Sequence, residues 1–220
     1  MSVELESLVQ KFARELGIED YRKLEQVLLD GHEIVSLGSL EFLKEMPNLE
    51  VLSLNFCRIK GLQEPFPAGL PLERLELSDN DLCKADLEKL ANLQNLFALH
   101  LNETKIENAD DLEPLKALQE LRFLYLVQTP LSRNENYLAD VFALLPQLEY
   151  IDDCDKDGNT VYFSDSSDSS LSMDEQEQDS FMFWGGDEEV EEEDNQEYTT
   201  HVVLDSLISD DDNSDGTDNS

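Results

Sequence analysis

An α/β solenoid of five repeats, with short parallel strands on a concave face and a helical cap at each end, is predicted for roughly the first two thirds of this 220-residue chain. Three observations predict it. The pattern L-x-x-L-x-L-x-x-N/C-x-L recurs along the sequence, and its copies start at residues 24, 49, 72, 96 and 121, so that 25, 23, 24 and 25 residues separate them. Apolar-striped segments flank the array on both sides. One such repeat cannot bury its own leucines, so the copies must stack on one another.

The elements follow in chain order. Leu5, Leu8, Val9, Phe12 and Leu16 form one stripe of a helix that Gly17 can end, which defines an N-terminal cap over residues 1–20. The repeats occupy 21–135. Their first copy, LEQVLLDGHEI, uses Leu24, Val27, Leu29, His32 and Ile34. The second, LEVLSLNFCRI, uses Leu49, Leu52, Leu54, Cys57 and Ile59, and the third, LERLELSDNDL, uses Leu72, Leu75, Leu77, Asn80 and Leu82. The fourth supplies Leu96, Leu99, Leu101, Thr104 and Ile106, and the fifth Leu121, Leu124, Leu126, Thr129 and Leu131. Period-two alternation turns both leucines of L-x-L inward from a short strand. The ninth position needs a small polar group that can bond the turn backbone. Asn80 suits it best, Cys57, Thr104 and Thr129 replace it in part, and His32 is read as a turn residue there. Cys57 is accordingly structural rather than reactive. Between strands, Leu87, Leu90 and Leu93 suit helix or 3₁₀ turns. The stretch NYLADVFALLPQLEYIDDCD, with Tyr137, Val141, Phe142, Leu145, Leu148 and Ile151, reads as a helix and last strand forming a C-terminal cap over 136–155.

Charge divides the chain. Residues 1–150 carry 27 Asp and Glu against 14 Lys and Arg, whereas residues 151–220 carry 24 against the single Lys156, and the total is −36. The segment 156–220 has too few aliphatic residues to offset its chain entropy and is expected to be a disordered acidic tail. A polyanion repels phosphate, so nucleic acid is not an expected ligand and the natural partners are basic proteins. Cys57, Cys83 and Cys154 form no CxxC or Cys/His cluster, which fits a reducing compartment. The N-terminal MSVELESLVQKFAREL is too charged for a signal peptide, and no apolar run approaches the ~20 residues a membrane helix needs. A soluble, intracellular, monomeric protein without membrane contact is expected. Three scattered histidines, with no metal spacing, phosphate-binding glycine loop or nucleophile motif, argue against an enzyme, so no catalytic, cofactor-binding or metal residue is expected.

The residues between the inward leucines, Leu28, Ser53, Glu76, His100 and Tyr125, are expected to face solvent on the concave sheet. Asp30, Asn55, Ser78 and Asn102 flank them on one side, and Arg74, Ala98 and Phe123 on the other. The expected partner-binding set is Glu76, Ser78, His100, Asn102, Phe123 and Tyr125, since solenoids bind across this surface. The alternative for Phe123 and Tyr125 is packing on the terminal cap.

PLERLELSDNDL (71–82), KIENADDLEPLKALQELRFLYL (105–126) and above all YLADVFALLPQLEYIDDCDKD (137–157), followed at once by an acidic tail, resemble the acidic leucine-rich nuclear phosphoprotein 32 family. The resemblance implies a nuclear or shuttling histone-binding protein. It also implies roles as a histone chaperone, an inhibitor of histone acetylation, a regulator of a serine/threonine phosphatase and a regulator of apoptosis. Many relatives end in a basic nuclear-import cluster. This chain ends NSDGTDNS, with no Lys or Arg after Lys156.

Within the tail, Phe181, Met182, Phe183 and the only tryptophan, Trp184, stand beside Asp187, Glu188, Glu189, Glu191, Glu192, Glu193 and Asp194. The carboxylates suit a basic histone surface, and the aromatics Phe181, Phe183 and Trp184 supply a register that charge alone lacks. The competing reading is that the aromatics fold back on the repeats. Ser172, with Glu175 three residues on, suits an acid-directed kinase. Its phosphate could prime Ser169 and then Ser166, and Ser209 has Asp212 at the same offset. A histone-directed chaperone or chromatin regulator is the leading function. The alternative is a leucine-rich adaptor or scaffold subunit, spliceosomal or phosphatase-associated, with a solubilising tail.

Overall fold

The computed structural model describes residues 4–34 and 37–161. The tail candidates, Phe181 to Asp194 and the serines at 166, 169, 172 and 209, lie outside the described residues.

Among the described residues, the repeat spacing becomes a single sheet of six parallel strands in sequence order. They are β1 (Gln26–Leu28), β2 (Val51–Ser53), β3 (Arg74–Glu76), β4 (Ala98–His100), β5 (Phe123–Tyr125) and β6 (Tyr150–Ile151). Their register aligns Val27, Leu52, Leu75, Leu99, Leu124 and Ile151 in one ladder, all at 0% exposure. A second inward row, Leu29, Leu54, Leu77, Leu101 and Leu126, lies two residues further along each repeat and is equally buried. The return segments close the core from the convex side. They use a short helix α2 (Lys84–Leu87) and 3₁₀ turns at Glu41–Glu45, Glu88–Leu90 and Ala109–Ala117, with Leu87, Leu90 and Leu93 buried. Each fully buried leucine contributes about 1.5–3 kcal/mol, so truncating one in the ladder, such as Leu75, removes contacts on both neighbouring repeats.

The ninth-position residues close the turns as expected. The Asn80 amide donates to the carbonyls of Leu54, Leu77 and Ser78 at 2.9, 2.9 and 3.1 Å, and its oxygen accepts the Ile59 N–H at 2.9 Å. Thr104 and Thr129 each make one such bond, to Leu101 O and Leu126 O. The Cys57 thiol donates to Leu29 O at 3.0 Å, and burial, then the Asp30 charge, pushes its pKa up to about 12, which keeps it an inert thiol. His32 places Nδ1 3.2 Å from Leu29 O, again in the turn.

Both ends are capped. Helix α1 (Leu5–Glu15) buries Leu5, Leu8, Val9, Phe12 and Ala13. It ends in a Schellman motif: Gly17, at φ 73°, donates to Arg14 O, and Ile18 donates to Ala13 O. At the other end, α3 (Tyr137–Leu144) packs over the last repeat, and β6 continues the sheet beyond the fifth copy.

Candidate binding face

The strand register builds the concave face row by row. The central outward row runs Leu28, Ser53, Glu76, His100, Tyr125, and beside it runs Gln26, Val51, Arg74, Ala98, Phe123, Tyr150. Glu76 is the hub. Its Oε1 accepts from Arg74 Nε at 2.6 Å, and its Oε2 accepts from the Asn55 amide at 2.6 Å and lies 3.0 Å from the Ser53 hydroxyl. The same hydroxyl is 2.6 Å from Asp30 Oδ1, which also accepts the Asn55 N–H at 2.8 Å. Ser53 has one proton and can donate it to only one of the two carboxylates.

This network changes one expectation. Ser53, Asn55, Ser78 and Ala98 do not face solvent: Ser53 is 1% exposed and Ser78 is 8% exposed. Ser53 is short, and the Asp30 and Glu76 side chains from the neighbouring repeats close over it. Ser78 has its N–H held by Asn55 Oδ1 at 2.8 Å. Of the expected binding set, Glu76, His100, Asn102, Phe123 and Tyr125 keep partial exposure.

Rings dominate the C-terminal half. His100 and Tyr125 lie 4.2 Å apart between centroids, at 31°. Phe123 stands between Phe97, at 5.2 Å and 47°, and Tyr150, stacked at 5.0 Å and 19°. Phe123 therefore does pack on the cap strand, whereas Tyr125 packs on His100. Burial pushes the His100 pKa down to about 4, Glu76 opposing and Arg74 reinforcing, so the imidazole is neutral near pH 7. Burial raises Glu76, but Arg74, His100 and the Asn55 and Ser53 bonds outweigh it and leave the carboxyl below its usual range. Tyr125 is raised by burial and then by Asp153. The arrangement is a hydrogen-bonded polar surface that turns aromatic toward the C-terminal repeats. The binding set drawn from sequence included Glu76 but not its network partners Asp30, Ser53 and Asn55, nor Phe97 or Tyr150. The positional signal for Phe97 was present, because it fills the second place of its repeat.

A six-strand parallel stack with inward leucines and capped ends defines a leucine-rich-repeat protein. A chain of the crystal structure of the Drosophila melanogaster SNF/U2A' complex matches this fold at TM-score 0.50 and 24% identity, over 58% of this chain and 71% of that one. No family model matches the sequence. Among curated proteins, an acidic leucine-rich nuclear phosphoprotein 32-related protein of Plasmodium falciparum is 35% identical over 149 residues, 66% of this chain and 53% of that protein. A histone of Tetrahymena thermophila, a variant designated Y, is 34% identical over 133 residues, 57% of this chain and 34% of that protein. The first of these relatives makes the chain similar to an acidic leucine-rich nuclear phosphoprotein 32-related protein. The chain spans about half or less of the length of these two curated relatives.

Proposed function

We propose that this chain is a non-enzymatic, nuclear histone-binding protein, acting as a histone chaperone or chromatin regulator. The concave face recognises the partner, and the acidic segment 152–220 shields the partner's positive charge. The observation that carries the reading is the segregated charge: 24 Asp and Glu against one Lys in residues 151–220, on a chain of net charge −36. Such a density raises encounter rates with basic proteins and makes the affinity depend on salt. Two further observations support it, the relative named as a nuclear phosphoprotein and the matching segment in a protein named as a histone. In the tail, Phe181, Phe183 and Trp184 set the register beside Asp187 to Asp194, and phosphates on Ser166, Ser169, Ser172 and Ser209 deepen the charge.

The test is binding of purified core histones to the full-length chain and to residues 1–161 across a salt titration. Strong, salt-sensitive binding that the truncated chain loses is the expected result. Weak binding by both chains would overturn the reading. Undiminished binding by the truncated chain would move the function to the repeats alone, as in an adaptor.

A further inference from the structure

The corner after each strand repeats one backbone conformation. Gly31 (φ 73°), Phe56 (57°), Asp79 (50°), Glu103 (56°), Gln128 (61°) and Asp153 (60°) all occupy the left-handed region. The amides of the first four stitch the corners into a row. Gly31 N–H donates to Asn55 O at 2.8 Å, Phe56 N–H to Ser78 O at 3.0 Å, Asp79 N–H to Asn102 O at 2.9 Å and Glu103 N–H to Val127 O at 2.9 Å. This region suits Gly, then Asn and Asp, and disfavours bulky side chains.

Phe56 departs from that chemistry. It is 54% exposed, so burial does not offset the conformational strain. A single exposed apolar residue is ordinary, but the corner's amide bond to Ser78 O needs no ring, and a phenylalanine in a conformation that disfavours bulk points to a contact outside the chain. Its setting says which kind. On one side, a Cβ built on Gly31 would meet nothing within 4 Å, so this corner is open. On the other side, Asp79 and Glu103 are exposed, and their carboxylates form no ion pair among the described residues. The cation nearest in sequence, Arg58, is held by Glu33 at 3.2 Å.

We propose that Phe56 anchors a docking point for a basic protein segment, with an arginine or lysine side chain lying over the ring and Asp79 and Glu103 meeting the neighbouring positive charges. A ring face attracts a cation, and the carboxylates orient it. The proposal deepens the histone-binding reading and rests on it only for the partner's identity. It gives the repeat domain a contact of its own.

The experiment uses the full-length chain with ring-labelled phenylalanine, with Phe56 assigned by Phe56→Asn and octa-arginine as the titrant. The Phe56 ring and the Asp79 and Glu103 amides should shift together and saturate. In Phe56→Leu, which keeps the bulk and the strain but removes the ring face, the affinity read at Asp79 and Glu103 should fall about three- to fivefold. Phe56→Asn, which relieves the strain, should melt no lower than the parent chain. An unmoved Phe56 ring at saturating peptide, or parental affinity in Phe56→Leu, overturns the proposal. Core histones bound while Phe56 stays unmoved would overturn the docking point alone. A Phe56 ring that responds to octa-arginine in a chain that ignores histones would overturn the histone reading alone.

Discussion

The Tyr137 hydroxyl donates to Asp152 Oδ2 at 3.0 Å, while Oδ1 of the same carboxylate accepts the Leu126 N–H at 2.6 Å. One side chain thus ties the capping helix, the fifth repeat and the end of β6 together. Burial raises the Asp152 pKa in spite of both bonds. Tyr137→Phe leaves Oδ2 without its hydroxyl partner and should lower the unfolding free energy by about 1–2 kcal/mol. Urea denaturation of the full chain measures this. An unchanged midpoint would show that the hydroxyl contributes nothing to the cap.

Asn80 and Thr129 fill the same turn position with different numbers of bonds. Asn80→Ala leaves three carbonyls and the Ile59 N–H without their side-chain partner, and should cost about 3 kcal/mol or more. Thr129→Val loses the bond to Leu126 O and the one accepted from Ser132 N–H, and should cost about 1–2 kcal/mol. The order of the two urea midpoints is the result to check, and a reversed order would contradict the bond count.

His100 should make the fold acid-sensitive. Its folded pKa of about 4 lies below the usual 6.5, so between those values the unfolded chain binds a proton that the folded chain does not. Stability is therefore full above pH 6.5 and falls toward pH 4, by up to about 1.4 kcal/mol per pH unit. Glu76, also lowered, acts in the same direction below the ordinary carboxylate range, while Asp152, which is raised, acts in the opposite one. Urea midpoints across this window, in the parent chain and in His100→Gln, isolate the histidine. Equal slopes would contradict the assignment.

Glu25, Glu50 and Glu73 precede β1, β2 and β3 in register, joined by Glu50 N–H to Glu25 O and Glu73 N–H to Glu50 O. Burial, then Glu73 and Glu25, raise the Glu50 carboxyl. A raised folded pKa means stability present at low pH and lost as pH rises through that value. Glu50→Gln should therefore raise the thermal midpoint at pH 7, and the gain should shrink in about 0.5 M salt. A lowered midpoint would mean that the carboxylate has a favourable partner.

Much of the fold was legible because repeats write their own register. Five copies spaced by 23–25 residues give each leucine a single equivalent in each adjacent repeat, so Leu52, Leu75 and Leu99 had to stack. The face was legible by row: Glu76, His100 and Tyr125 do lie in one outward line. Exposure within a row was not legible. Ser53 is buried by Asp30 and Glu76, which are 23 residues away on either side.

The sequence by itself determined the periodicity, the parallel stack, the caps and the separation of charge, since each depends on residue type at fixed spacing along the chain. Only the tertiary structure decided that Phe56 stands exposed in a left-handed corner, that the His100 imidazole is neutral, and that Asp152 binds two elements at once. Those properties depend on how closely side chains from adjacent repeats approach and how much water they exclude, and spacing along one chain does not encode either distance.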